Sequence, residues 1–313
     1  MHFDESYFEE EIREGFRIRP MVKRAWASQL EILAEIDRIC KKHNIMYFAE
    51  WGTLLGAVRH HGFIPWDDDL DVGMKRKDYW RFLEICSVEL SEPFEIHNVR
   101  TEPEFREVMS RVTNGHAIKT EPSFLKQFHG CPYMCGIDIF PNDNIPDDED
   151  EQKKYAELFS VADGLGVYWD TDHYSENEKK GMLAFLEHNI ARKIKSHDGL
   201  TMSQAILDVA EQIASAYCMD DTEYIGQVDL FSGRGYKLHK SLFETTIDFP
   251  FENTTIPVPI GYDSILRKKY GDNYMTPVYH GGAHDYPFFK EYEETLYKAL
   301  IEMYGEVPVQ YRY

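Results

Sequence analysis

From Val22 to His43, apolar Val22, Trp26, Leu30, Leu33, Ile36 and Ile39 recur at three- and four-residue spacing, which predicts an amphipathic helix. The period then changes. "IMYFAEW", after Asn44, is short, apolar and aromatic and reads as a buried strand; "TLLGAVRHHG" reads as a short helix stopped by Gly62. "LDVGM" is a second short strand, and "KRKDYWRFLEICSVEL" returns to helical spacing. "REVMSRVTNGHAIKT" holds Asn114-Gly115 between two strand-like runs, a hairpin signal. "GIDIF", from Gly136, is an apolar strand carrying one acid and closed by Pro141. From about Glu151 to Met219 the pattern is helical, broken near Asp170–Ser175 and Ser196–Leu200. "FETTIDFPFENTTIPVP" predicts a strand pair turning at Glu252-Asn253, and "GYDSILRKKYGDNYM" a short helix stopping at Gly271. This succession predicts an α+β protein with a mixed sheet flanked by helices. Its expected divisions are a catalytic core over 1–148, a helical insertion over 149–220, and a β-hairpin and helix region over 221–313 that completes the core and the site.

Composition narrows the function. At 43% apolar and 14% aromatic, the 313 residues supply a core and exclude a disordered chain. A net charge of −21 argues against nucleic acid bound through a basic face and against a polybasic membrane surface. No apolar run approaches the length that crosses a bilayer, and the acidic "MHFDESYFEEEIREGF" has no signal-peptide core. The five cysteines are odd in number and spread out. Cys131 and Cys135 are near enough in sequence to meet, but their spacing brings no zinc partners. Reduced thiols in a cytoplasmic protein are the expectation.

The chemistry concentrates in "WGTLLGAVRHHGFIPWDDDLDV". On an extended segment Asp69 and Asp71 project to one face while Leu70 and Val72 turn to the core. Two adjacent carboxylates repel unless a cation lies between them, and such oxygen-rich sites suit Mg2+ or Mn2+. Asp138, flanked by isoleucines in "GIDIF", is costly without a partner, and a shared metal would serve all three acids. Asp67 and Asp68 read equally well as a solvated acidic turn. A calcium loop is excluded, because Val72 and Asp78 stand where glycine and glutamate are needed. Upstream, Gly52-Thr53 follows a strand and opens a helix, a place where backbone N–H groups and a hydroxyl can meet phosphate.

Strand, Gly-Thr, helix, Asp-x-Asp strand, then a third acid on a later strand: this order resembles the nucleotidyltransferase superfamily. "GTLLGAVRHHGFIPWDDDLDVGMKRKDY" is similar to the signature of the LicD family, which includes the fukutin-related proteins. "GIDIFPND" and "IPVPIGYDSILRKKYGDNYMTP" extend the likeness to the end of the chain; residues 150–220 do not share it. The cysteines that bind zinc in animal relatives are absent, so no zinc is carried over.

The resemblance implies a phosphotransferase using a CDP-activated alcohol, with CDP-choline favoured, and a glycan or glycolipid acceptor. Ribitol or glycerol phosphate transfer, or nucleotidyl transfer, is the alternative on the same fold; a non-catalytic binding protein is a third reading that the intact Asp69–Asp71 pair disfavours. Asp69 and Asp71 map to paired metal ligands, Gly52 and Thr53 to the phosphate turn, and Asp138 to the third carboxylate. Arg59, Arg111, Lys119 and Arg267 are the cations expected near phosphate, Arg111 and Lys119 flanking the predicted hairpin turn. Trp51, Trp66, Tyr133, Tyr286 and Phe288 are candidates to face a trimethylammonium group. His280 and His284, in "YHGGAHDYPFF", are candidate bases or ligands as well as ordinary loop histidines.

Overall fold

The structure, a computed structural model, describes residues 1–196, 199–279, 286–308 and 311. A small antiparallel ribbon opens the chain, β1 (Glu11–Arg13) and β2 (Phe16–Ile18). Next come α1 (Pro20–His43), β3 (Phe48–Ala49), α2 (Trp51–Arg59), β4 (Leu70–Lys75) and α3 (Arg76–Glu89). β5 (Glu95–Asn98), β6 (Ser110–Thr113), α4 (Pro122–Gln127) and β7 (Gly136–Ile145) follow. Three helices succeed them: α5 (Glu149–Val167), α6 (Glu176–Asn189) and α7 (Met202–Ala214). The last third holds β8 (Tyr224–Gly226), α8 (Val228–Arg234), β9 (Leu238–His239), β10 (Thr246–Phe251), β11 (Thr254–Pro259), α9 (Tyr262–Tyr270) and α10 (Lys290–Tyr304).

The fold is α+β, built on a mixed sheet of order β3-β4-β7-β6-β5. Only β4 and β7 run parallel within that row; the other neighbours are antiparallel. The far half of β7 pairs with β8, which pairs with β9. One core joins α1, the sheet, β10, β11 and α9; a second joins α5, α6, α7 and α8 with Ile145. No helix among the described residues is long and apolar enough to cross a membrane.

Most sequence expectations for the elements match. α1 begins on Pro20 and ends at Asn44 in the left-handed conformation. After each expected break the helical pattern resumes behind a capping box, Ser175 with Glu178 and Thr201 with Gln204; residues 197–198 of the second break lie outside the described residues. β10 and β11 turn at Glu252-Asn253, and α9 stops at Gly271.

Two expectations fail. Asn114-Gly115 makes no tight hairpin: after β6 the chain leaves the sheet, forms α4, and returns only at β7. Asn114 is instead a buried crosslink, accepting from the Cys135 N–H at 2.9 Å and donating to Ser28 Oγ at 3.0 Å. Nor does Pro141 end β7, which continues to Ile145. On that edge β6 pairs only as far as Ile139 and β8 begins at Asp143, so Pro141 lies where neither partner pairs.

Candidate active site

β4 begins directly after the acidic turn, and its alternation does what the pattern requires. Leu70 and Val72 are buried in the core, while Asp69 and Asp71 line one cleft together with Asp67 and Asp138. Asp138 of β7 is the direct cross-strand neighbour of Asp71, and Arg111 of β6 is the neighbour of Asp138 on its other side. Asp71, Asp138 and Arg111 therefore form a row across three strands. Arg111 grips Asp138 bidentately, through Nε to Oδ1 and through Nη2 to Oδ2 at 2.9 Å. That pairing raises the pKa of the guanidinium further.

Burial, then the charges of Asp69, Asp138 and Asp67, pushes the Asp71 carboxyl well above the usual carboxylate range, and Lys269 pulls the other way. The acidic turn is fixed from beneath by α1. Trp26 Nε1 donates to the Asp67 carbonyl at 3.1 Å and Gln29 Nε2 to the Asp68 carbonyl at 2.6 Å. Asp68 is not a solvated turn residue, since it is fully buried and its Oδ2 accepts from the Phe288 N–H at 2.6 Å. Among the described residues, no three acid, thiol or imidazole groups stand close enough to form a ready-made cation cage.

The first turn of α2 approaches the acids closely. A β-carbon at Gly52 would fall on Asp67 Oδ2, so any larger residue here would have to push that carboxylate aside. Thr53 is buried and its hydroxyl oxygen accepts the Asp71 N–H at 2.8 Å, so this side chain orients Asp71 rather than lining the cleft. Arg59, at the end of α2, lines the cleft and donates through Nη1 to the Tyr274 carbonyl at 2.9 Å. Its Nε donates to His60 Nε2 at 2.8 Å; burial and Arg59 hold that imidazole down at about 4, so it is neutral.

The remaining two expected cations lie elsewhere. Arg267 faces outward on α9, paired with Asp263 at 2.8 Å and Asp272 at 3.2 Å. Lys119, displaced with the lost hairpin, sits over the Phe124 ring. The cation α9 turns inward is Lys269, three and four residues beyond the buried Leu266 and Ile265. Its Nζ lies against the face of Trp51, and burial lowers its pKa to about 7 against the pull of Glu50 and Asp71. Glu50, buried just ahead of α2, accepts from Asn142 Nδ2 at 3.3 Å, and burial raises its carboxyl. Neither Lys269 nor Glu50 figured in the sequence reading, yet the helical spacing of α9 singled out Lys269 over Arg267.

The cleft encloses about 730 Å³, within the range of small-molecule sites. Of the candidate rings, Trp51 and Trp66 line it, joined by Phe140, Tyr270 and Tyr274. Tyr133 is instead core, stacked on Phe289 with centroids 4.5 Å apart; Tyr286 packs edge-on against Phe16, and Phe288 lines a neighbouring cavity. His280 and His284 lie outside the described residues.

The domain profile described as LicD/FKTN/FKRP, nucleotidyltransferase domain, matches residues 44–157, the stretch that carries α2, β4, β6 and β7. Residues 44–157 are thus similar to the LicD family. Beyond that domain, a protein named lipopolysaccharide cholinephosphotransferase LicD from Haemophilus influenzae is 28% identical over 254 residues, covering 79% of this chain and 89% of the relative. An uncharacterised Rickettsia typhi protein is 45% identical over 69 residues, 22% of each chain. Another from Rickettsia prowazekii is 33% identical over 113 residues, 36% of this chain and 32% of that one. The matched stretch contains Asp69, Asp71, Asp138 and Arg111, while Lys269 and Tyr270 come from the chain beyond it.

Proposed function

We propose that this protein transfers phosphocholine, or a similar phospho-alcohol, from a CDP-activated donor to a hydroxyl of a cell-surface glycan precursor. The observation that carries this reading is the meeting of Asp69, Asp71 and Asp138 on one aromatic-walled cleft, all three within the stretch similar to the LicD family. The similarity to a lipopolysaccharide cholinephosphotransferase across most of both chains supports phosphocholine as the group transferred and a glycan as the acceptor. The lining drawn from α2, β4, β7 and α9 supports a core over 1–148 completed by 221–313, with the 149–220 helices as its flank. Five free thiols accord with a reducing, cytoplasmic setting.

The residues fit a hard divalent cation such as Mg2+ or Mn2+. Their donors are all carboxylate oxygens, and Asp71 is crowded by like charge and burial, both relieved by added positive charge. Asp69 and Asp71 would hold it, with Asp138 beside them. When bound, the cation supplies positive charge to the diphosphate and to the departing CMP.

The chain's own groups do the rest. Arg59, fixed by Tyr274 and His60, is placed to meet a phosphate oxygen. The Trp51, Trp66 and Tyr270 rings offer faces for the cytosine or a quaternary ammonium. Thr53, through the Asp71 N–H, holds β4 against α2. Asp138, fixed in orientation by Arg111, is placed to receive the acceptor proton.

Incubation with Mg2+ and CDP-choline, CDP-ribitol or CDP-glycerol, with CMP release as readout, tests the proposal. Release from CDP-choline that EDTA abolishes is the expected result. If none of the three donors is turned over, the transferase reading is wrong; preference for ribitol or glycerol would move the donor and keep the mechanism.

A further inference from the structure

Asp69 and Asp138 border two cavities. Besides the large cleft, a second of about 310 Å³ opens at the Arg111 end of the carboxylate row, and these two aspartates are the lining residues that both share. Otherwise the walls differ. The cleft is walled by α2, α9 and the loop after α9, whereas the second cavity is walled by Gln29 of α1, Arg111 and Thr113 of β6, Met134, and Phe288. Asp138 is flanked across the sheet by Asp71, which lines the cleft and not the second cavity, and by Arg111, which lines the second cavity and not the cleft.

In-line displacement requires the entering and leaving oxygens to stand on opposite sides of phosphorus. With the nucleotide in the larger, aromatic cleft, the bond that breaks points back into that cleft. The attacking oxygen then arrives from the Arg111 side.

The chemistry of the second cavity fits a neutral polyol. Its lining includes Asp68, Asp69 and Asp138, against one cation, Arg111, already engaged by Asp138, so an anion would be repelled. Gln29 is 1% exposed; its Nε2 is committed to the Asp68 carbonyl, and its Oε1 receives no hydrogen bond from any described residue. A buried acceptor without a donor is costly, and a hydroxyl supplies the missing proton.

We propose that this second cavity is the acceptor subsite, taking a neutral sugar with one hydroxyl on Gln29 Oε1 and another presented to Asp138. This rests on the transferase reading of the adjoining cleft. In the step it serves, the sugar oxygen bonds to the phosphorus of the phospho-alcohol as the P–O bond to CMP breaks. The electron pair leaves on the CMP phosphate oxygen, and the hydroxyl proton passes to the Asp138 carboxylate.

The test is saturation-transfer NMR of methyl β-D-galactopyranoside and methyl β-D-glucopyranoside with the full chain, with and without CDP. Met134→Trp fills the cavity from its partly exposed rim, and Gln29→Leu removes the acceptor. At least one glycoside is expected to bind the parent protein and to bind each variant about tenfold more weakly or worse. CDP affinity, measured alongside, reports whether each variant has kept its fold. Glycosides that fail to bind the parent, or that bind both variants equally well, overturn the proposal. CMP release from CDP-choline, CDP-ribitol and CDP-glycerol is followed in parallel; its absence with all three counts against the transferase reading and leaves the glycoside result to judge the subsite.

Discussion

Asp71 sits among like charges, and its behaviour follows from them. Its folded-state pKa lies above the ordinary carboxylate value because of burial and then Asp69, Asp138 and Asp67. The group therefore favours folding only below its unfolded pKa, and that contribution is lost as pH rises through the folded value. Asp71→Asn is accordingly expected to melt higher than the parent at neutral pH, with the difference vanishing as pH falls below 4, the range of an ordinary aspartate. Thermal melts across pH check this, and equal melting at every pH would contradict it. In the same variant CMP release is expected to fall about a hundredfold or more, since the proposed reading gives Asp71 the task of holding the metal while the fold remains. Asp69 and Asp71 were legible because strand alternation is local: one residue apart means one face. Lys269 was passed over for Arg267 although the period of α9 favours it, because charge alone does not say which face of a helix is covered.

Between elements, one joint that ties the helical stretch to the sheet is a buried ion pair. Arg76, at the start of α3, donates Nε and Nη2 to the two carboxylate oxygens of Asp143 on β7, each at 2.7 Å, and Nη1 to Glu211 of α7 at 3.1 Å. Both Arg76 and Asp143 are almost wholly enclosed. Arg76→Met leaves a buried carboxylate unpaired and is expected to cost about 3–5 kcal/mol in denaturant unfolding. Replacing both, Arg76→Met with Asp143→Leu, is expected to recover much of that loss, because the desolvated charge goes with its partner. Sequence reading had no access to this joint, since 76, 143 and 211 share no local period. The same limit explains Asn114-Gly115: dipeptide preference names a turn, but the partner strand for β6 is supplied by β5 and by a β7 that returns after α4.

Over the whole molecule, a net charge of −21 sets a background against which any gathered acids are unfavourable. If a divalent cation binds Asp69 and Asp71, binding to the folded state alone raises its stability by mass action. Saturating Mg2+ is expected to raise the melting temperature by roughly 2–5 °C in the parent protein. EDTA should reverse the shift, and Asp71→Asn should lack it; calorimetry decides, and an equal shift in the variant would assign the effect to general screening. The sequence by itself determined the helices and strands with a clear period, the pairing of Asp69 with Asp71, and the order of parts that points to a LicD domain. These depend on residues within a few positions of one another, where backbone geometry dictates which side chains share a face. Only the tertiary structure decided that Arg111 locks Asp138, that Lys269 lies against the face of Trp51, and that Asp69 and Asp138 line two cavities. Those relations join residues tens to hundreds of positions apart, and they exist only once burial has chosen which surfaces meet.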